Sequence, residues 1–236
     1  MYFYSKEDLE NLADNINKEL YPERLGKIIP FDAYDYMEKQ GLEIEWKYIS
    51  PNKKLLGMIF FDDGKWPVWN NGKYKSGDIP HIENFKKGTV VINNILIDEK
   101  DIKKERFVSG HEAMHWAKDE NYFRTHTTDI IHACKEDTFE NTFWNIKMSE
   151  IDVIERQTNY LNAAVQMPRE LIKREFFKRL RYKNIPNSPI EYKKYMKACI
   201  RSLANDFGLN YNPVLYRLYD LNILKRERND VIGTKK

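Results

Sequence analysis

Apolar and polar positions change period several times along the chain, and each change marks an element. Leu9, Leu12, Ala13, Ile16 and Leu20 recur at helical spacing behind Ser5 and Asp8, which together make a capping-box-like start. A shorter helical stretch follows Pro30 and runs to about Gln40, with Gly41 as its stop. The period then falls to two. Leu42, Ile44, Trp46 and Tyr48 alternate with Glu43, Glu45 and Lys47, the pattern of a half-buried strand. Residues 55–61 and 66–69 flank Asp62-Asp63-Gly64 and read as a hairpin, followed by a polar, glycine-bearing loop over 70–80. The β-branched run 88–97 reads as a strand that completes a three- or four-stranded sheet. Helical patterns then dominate: about 101–118, with Phe107, Met114 and Ala117 turned inward, about 149–167, and further stretches beyond Pro168 interrupted at 184–189. These periods predict an α+β fold with a small sheet in the N-terminal half. Its core spans residues 1–183, and a helical extension follows over 184–236.

The helix predicted over 101–118 carries His111-Glu112-Ala113-Met114-His115. Two histidines four residues apart on a helix share one face, so both imidazoles can reach one metal ion, while Glu112 is turned toward a water at that ion. A strand feeding a helix that bears H-E-x-x-H is the arrangement of zinc-dependent peptidases. Two histidines do not complete a tetrahedral site, so a third protein ligand is required. Downstream candidates are His126, Asp129, His132, Glu136, Glu140, Glu150, Asp152 and Glu155. The continuation H-x-x-G-x-x-H is absent, because Lys118 and Asn121 occupy its glycine and histidine positions. Glu155, 40 residues after His115 and on a second predicted helix, fits the H-E-x-x-H…E class.

The stretch Glu155-Arg156-Gln157-Thr158-Asn159-Tyr160-Leu161-Asn162-Ala163-Ala164-Val165-Gln166-Met167-Pro168 resembles the E-x-x-A-N-x-x-A-x-x-L-L-M-P signature of the ImmA/IrrE metallo-endopeptidase family. The resemblance extends from the first helix through this second motif. It implies a zincin-like metallopeptidase core and makes Glu155 the third ligand, with His111 and His115, of one zinc ion per chain. It also implies a selective protein substrate, often a helix-turn-helix transcriptional repressor. Thr158 and Asn162 stand where alanine is usual, and Val165 and Gln166 replace a leucine pair; these positions are expected to face helix–helix contacts.

The mechanism that follows is metal-assisted peptide hydrolysis. Zinc polarises the scissile carbonyl, and Glu112 takes the proton of the attacking water and passes it to the leaving amine. Asn159, one turn beyond Glu155, is placed to hydrogen-bond a ligating histidine. Zincin chemistry also wants a donor for the oxyanion, for which His126, His132 and Tyr160 are candidates. The long polar connection over 118–148, which holds both of these histidines, has the character of a lid or specificity loop. An extended substrate would add to the exposed edge of the sheet beside the active helix, although the pattern does not say which strand forms that edge. The competing reading is a protein- or DNA-binding module around a structural metal, against which an intact Glu112 argues. A small-molecule hydrolase is weaker still.

Composition narrows the partners. The chain has 236 residues, 42% of them apolar and 32% charged, which suits a globular domain with a real core. A net charge of +3 is too small to imply a nucleic-acid or membrane partner. Near the C-terminus, 203–209 and 214–221 resemble a helix-turn-helix, but Glu227, Asp220 and Asp230 dilute its basic charge. A docking surface or helical cap is therefore expected rather than a DNA reader. Cys134 and Cys199 form no C-x-x-C pair and are expected as buried thiols in a reducing compartment. With neither a leader pattern nor a spanning apolar run, the cytoplasm is the expected location.

Overall fold

The computed structural model describes residues 4–50, 53–73, 77–125, 132–134 and 150–225, with backbone alone for 124–125 and 132–134. The chain divides into two compact units. Unit 1 comprises residues up to Leu9 and Phe31–Asn162; unit 2 comprises Glu10–Pro30 and Ala163 onward. The architecture is mixed α and β, as the periods predict.

The first helix, α1 (Lys6–Leu20), opens on the expected capping box: Ser5 N–H donates to Asp8 Oδ2 (2.9 Å) and Asp8 N–H to Ser5 Oγ (3.1 Å). In unit 1, α2 (Ala33–Lys39) is capped by the Asp32 carboxylate, which accepts from the Tyr34 and Asp35 amides. It stops before Gly41, whose φ of 70° few other residues adopt cheaply. Four strands form the main sheet: β1 (Glu43–Lys47), β2 (Gly57–Ile59), β5 (Thr89–Asn93) and β6 (His132–Cys134), in the order β1-β5-β2-β6. β1 runs parallel to β5, and β2 lies antiparallel to both β5 and β6. β5 is buried at every position, which explains its unbroken apolar run.

The hairpin expected at Asp62-Asp63-Gly64 does not form. β2 is bonded on both sides within the main sheet, so β3 (Gly64–Val68) pairs instead with β4 (His81–Phe85), across the 70–80 loop. Asp63 ties the β2–β3 connection to the β4–β5 turn, accepting from Lys86 Nζ (2.6 Å) and the Lys87 amide (3.0 Å). Between the sheets lies a core of Ile49, Met58, Phe60, Val68, Phe85 and Val91, with the Phe60 and Phe85 rings stacked at 4.7 Å.

The strand expected over 88–97 is also shorter. Asn93 Oδ1 accepts from the Ile95 amide (3.1 Å), while its Nδ2 donates to the carbonyls of Ser50 and Leu55, so the chain turns there into a short helix, α3 (Ile95–Asp98). Next comes α4 (Ile102–Thr125), which packs on β2 and β5 and runs seven residues past the expected end at Lys118. No glycine or proline stops it, and Phe123 docks on Phe61 at 4.5 Å between ring centroids. From Phe107 to His115 this helix is buried on every side.

α5 (Glu150–Gln166) ends unit 1 at Asn162 and enters unit 2 at Ala163. Its final carbonyls, ahead of Pro168, are capped by long side chains. Arg24, from the 3₁₀ turn Pro22–Leu25, donates to Val165 O (3.0 Å) and Gln166 O (3.1 Å), and Arg217 Nε donates to Met167 O (3.2 Å). Unit 2 continues with α6 (Arg169–Arg179), a short strand β7 (Ile190–Glu191), α7 (Met196–Phe207), α8 (Tyr211–Asp220) and β8 (Leu224–Lys225), parallel to β7. Gly208 ends α7 in the left-handed conformation, as expected. α8 begins before Pro213 rather than after it, because a proline in the first turn gives up an amide that has no helical partner. Cys199 is half-buried, and burial pushes its thiol up to about 11. The side chain of Cys134 lies outside the described residues. No described helix is long and apolar enough to cross a membrane.

Arg217 is 1% exposed and forms a two-pronged pair with Glu10, Nη1 to Oε1 at 2.5 Å and Nη2 to Oε2 at 2.9 Å. Removing one partner leaves the other charge buried. Glu10→Ala is therefore expected to cost about 3–5 kcal/mol in urea unfolding. A loss below about 1 kcal/mol would mean that the pair is far more hydrated than its burial indicates.

Candidate metal centre

α4 and α5 build the centre within unit 1. His111 and His115, one turn apart on α4, present their Nε2 atoms to each other at 2.9 Å. The Glu155 carboxylate arrives from the second turn of α5, with Oε2 3.2 Å from His111 Nε2 and Oε1 3.3 Å from His115 Nε2. Both imidazoles are fully buried. The three ligand atoms lie within 4.8 Å of one another and form the group among the described residues that could hold a metal ion. Donors about 2.0–2.1 Å from a tetrahedral ion stand about 3.3 Å apart. The two carboxylate–imidazole spacings match that edge and the Nε2–Nε2 spacing is shorter by about 0.4 Å, and two imidazoles with one carboxylate suit a borderline cation such as zinc.

Each ring is held from behind. His111 Nδ1 lies 2.9 Å from Asn159 Oδ1, which leaves Nε2 as the inward-facing atom. His115 Nδ1 meets Asp119 Oδ2 at 2.9 Å, a contact the sequence reading missed. The signal was available, because His111, His115 and Asp119 advance by four along one helix face.

Thr158 makes a helix–helix contact from α5 to α4, its Oγ1 lying 3.2 Å from His115 Nδ1 and 3.3 Å from Asp119 Oδ2. The Thr158 hydroxyl therefore touches a histidine of the donor group. Asn162 does serve packing, donating to Phe107 O across the two helices (3.0 Å).

Glu112 is completely buried, next to His111 on α4, and is not one of the three ligand residues. It leans on β2 at Gly57, where an added Cβ would lie 2.7 Å from Glu112 Oε1 and 2.8 Å from Val108 Cγ1. Only glycine leaves room for that carboxylate. The sequence reading did not single out Gly57, since its role appears only when β2 is laid on α4.

Among the described residues, the remaining candidates lie outside the donor group. Glu150 and Asp152 are exposed on the first turn of α5. Tyr160 is buried, but it stands about 140° round the helix from Glu155, with Lys6 Nζ 5.4 Å from its ring centroid. His126, Asp129, Glu136 and Glu140 lie outside the described residues, as does the side chain of His132.

Electrostatics distinguish the two imidazoles. Burial, the largest influence, pushes His111 below its usual value. Burial opposes the charged form of His115 as well, but Glu155 and Asp119 outweigh it and raise that pKa to about 10. The neighbouring carboxylates thus favour the charged form of His115, whereas burial favours the neutral form of His111. Asp119 stays below the usual carboxylate range despite its burial, because His115 and Lys118 favour its charged form. Ligation through His115 Nε2 requires its proton to leave. Metal uptake should then release about one proton, and affinity should rise roughly tenfold per pH unit on the acid side of the His115 pKa. Calorimetry in buffers of different ionisation enthalpy measures this; uptake without proton release would contradict the assignment of charge to His115.

No family model matches the chain, and no curated protein matches it.

Proposed function

We propose that the chain is a zinc-dependent endopeptidase that holds one zinc ion on His111, His115 and Glu155 and uses Glu112 as general base. The observation that carries this reading is the convergence of both Nε2 atoms and the Glu155 carboxylate around one point, with a buried non-ligand carboxylate on the same turn of α4. A purely structural site has no use for that extra carboxylate, and this weighs against the binding-module alternative. Support for a zincin-like core comes from the motif helix α4 beneath a mixed sheet, with its third donor on the next long helix.

When bound, zinc supplies Lewis acidity, which polarises a carbonyl and makes water nucleophilic near neutrality. The rest falls to the chain's own groups. Glu112 accepts the proton of the attacking water and returns it to the leaving amine. Gly57 holds the backbone of β2 close enough to confine the Glu112 carboxylate. Asn159 and Asp119 keep the imidazoles oriented with Nε2 inward.

The substrate class rests on the resemblance of residues 155–168 to the ImmA/IrrE signature, which favours a regulatory protein such as a helix-turn-helix repressor. The α7–α8 pair is read as a docking surface rather than a DNA reader, since Arg217 on α8 is consumed by Glu10.

Glu112→Gln keeps the side-chain shape but cannot take up the proton. Its zinc content should equal that of the wild type, while cleavage of a co-expressed repressor from a neighbouring gene falls by ~10²–10⁴. Equal loss of the repressor with both forms would overturn the general-base assignment. No loss with either form, across the neighbouring regulators, would favour the binding module. Gly57→Ala should act similarly, keeping the metal but lowering turnover at least about tenfold, because the new methyl displaces Glu112. His111→Ala should lose most of its zinc, and full retention of metal in both His111→Ala and Glu155→Ala would refute the site.

A further inference from the structure

The i, i+4 series on α4 does not end at the second histidine. Asp119 follows His115 by one turn, with its Oδ2 2.9 Å from His115 Nδ1, and the Lys118 ammonium closes on its other oxygen, Oδ1. Both residues are buried, Asp119 at 4% and Lys118 at 6% exposure, which is costly for charges unless they are paired. The Thr158 hydroxyl reaches the same carboxylate oxygen and the same ring nitrogen from α5. His111 is treated differently, since behind its Nδ1 stands the neutral amide of Asn159. The two imidazoles of the centre therefore carry unequal support, a carboxylate for one and an amide for the other.

We infer that Asp119 is the positioning residue for His115, and that the buried Lys118–Asp119 pair sets the donor strength of this imidazole and hence how tightly the centre holds its ion. The inference rests on the reading of His111, His115 and Glu155 as a metal centre. A carboxylate accepting the Nδ1 proton fixes the tautomer and pushes electron density toward Nε2, more strongly than an amide does. The adjacent ammonium withdraws part of that charge. Asp119 strengthens the grip and Lys118 relaxes it. A pair retained only for packing would give both substitutions the same sign.

The test compares zinc affinity of the full chain and its variants, by competition with a chromophoric chelator over a pH series at one ionic strength, each affinity being corrected to the deprotonated His115 ring. Asp119→Asn preserves shape and an acceptor oxygen but removes the charge, and should weaken zinc about tenfold; Asp119→Ala removes both and should approach about a hundredfold. Lys118→Met should bind zinc at least as tightly as the wild type. In the zinc-loaded wild type, the His115 Nδ1 proton should resonate further downfield than that of His111, and only the former should move upfield in Asp119→Asn. Unchanged affinity and ring signals in Asp119→Asn would overturn the inference, as would equal weakening in Lys118→Met. If Asp119 variants fail to fold, the wild-type spectrum decides, and equal Nδ1 shifts for the two rings overturn it. A wild-type chain that takes up no zinc would instead refute the metal centre itself, and the inference with it.

Discussion

Desolvation governs the interior of unit 1. His111, Glu112, His115, Lys118, Asp119 and Glu155 are all withdrawn from solvent, and an isolated ion in such a place costs several kcal/mol. They coexist because their charges are interleaved. A carboxylate faces two imidazoles on the inner side, and a second carboxylate backs one imidazole while answering to a buried ammonium. These contacts join α4 to α5, helices whose contributing residues lie some 40 positions apart in sequence. The polar interactions that define the chemistry are thus the ones that register the two helices. Asn162 to Phe107 O extends the same seam by one further turn.

On its opposite side, α4 meets the sheet through apolar and backbone surface. β2 contributes no side chain at Gly57, so the helix approaches closely enough for Glu112 to be gripped between strand and helix. A helix enclosed from Phe107 to His115 has no solvent face to set its rotation. Its orientation comes from matching polar groups to α5 and the glycine to β2. This explains how polar residues can fill a core segment without weakening the packing around it.

The legible parts of the sequence were those governed by local periodicity. The capping box of α1, the Gly41 and Gly208 stops, the α5 span and the spacing of His111 and His115 all follow from rules that act within one or two turns. What escaped depends on distant partners. Alternation marked the strands on either side of Asp63, but the partner of β3 was decided by β5 and β6 having already taken both edges of β2. The Ile95-Leu96-Ile97 run looked extended until the Asn93 side chain turned the backbone. α4 passes its expected end at Lys118, a residue whose burial the neighbouring Asp119 makes tolerable. Thr158 is legible as a helix–helix contact, but a hydroxyl one turn past Glu155 has no periodic signature of its relation to His115.

The place of β2 inside the sheet carries a kinetic consequence. Both of its edges are bonded, to β5 and to the three residues of β6. An extended peptide that seeks the strand nearest Glu112 meets a competitor belonging to the same chain. Tethered competitors act at effective concentrations of order millimolar. On the proposed peptidase reading, a peptide of weaker intrinsic affinity than that would be turned away, and selectivity would begin as a contest between strands rather than as recognition of a cleavage sequence.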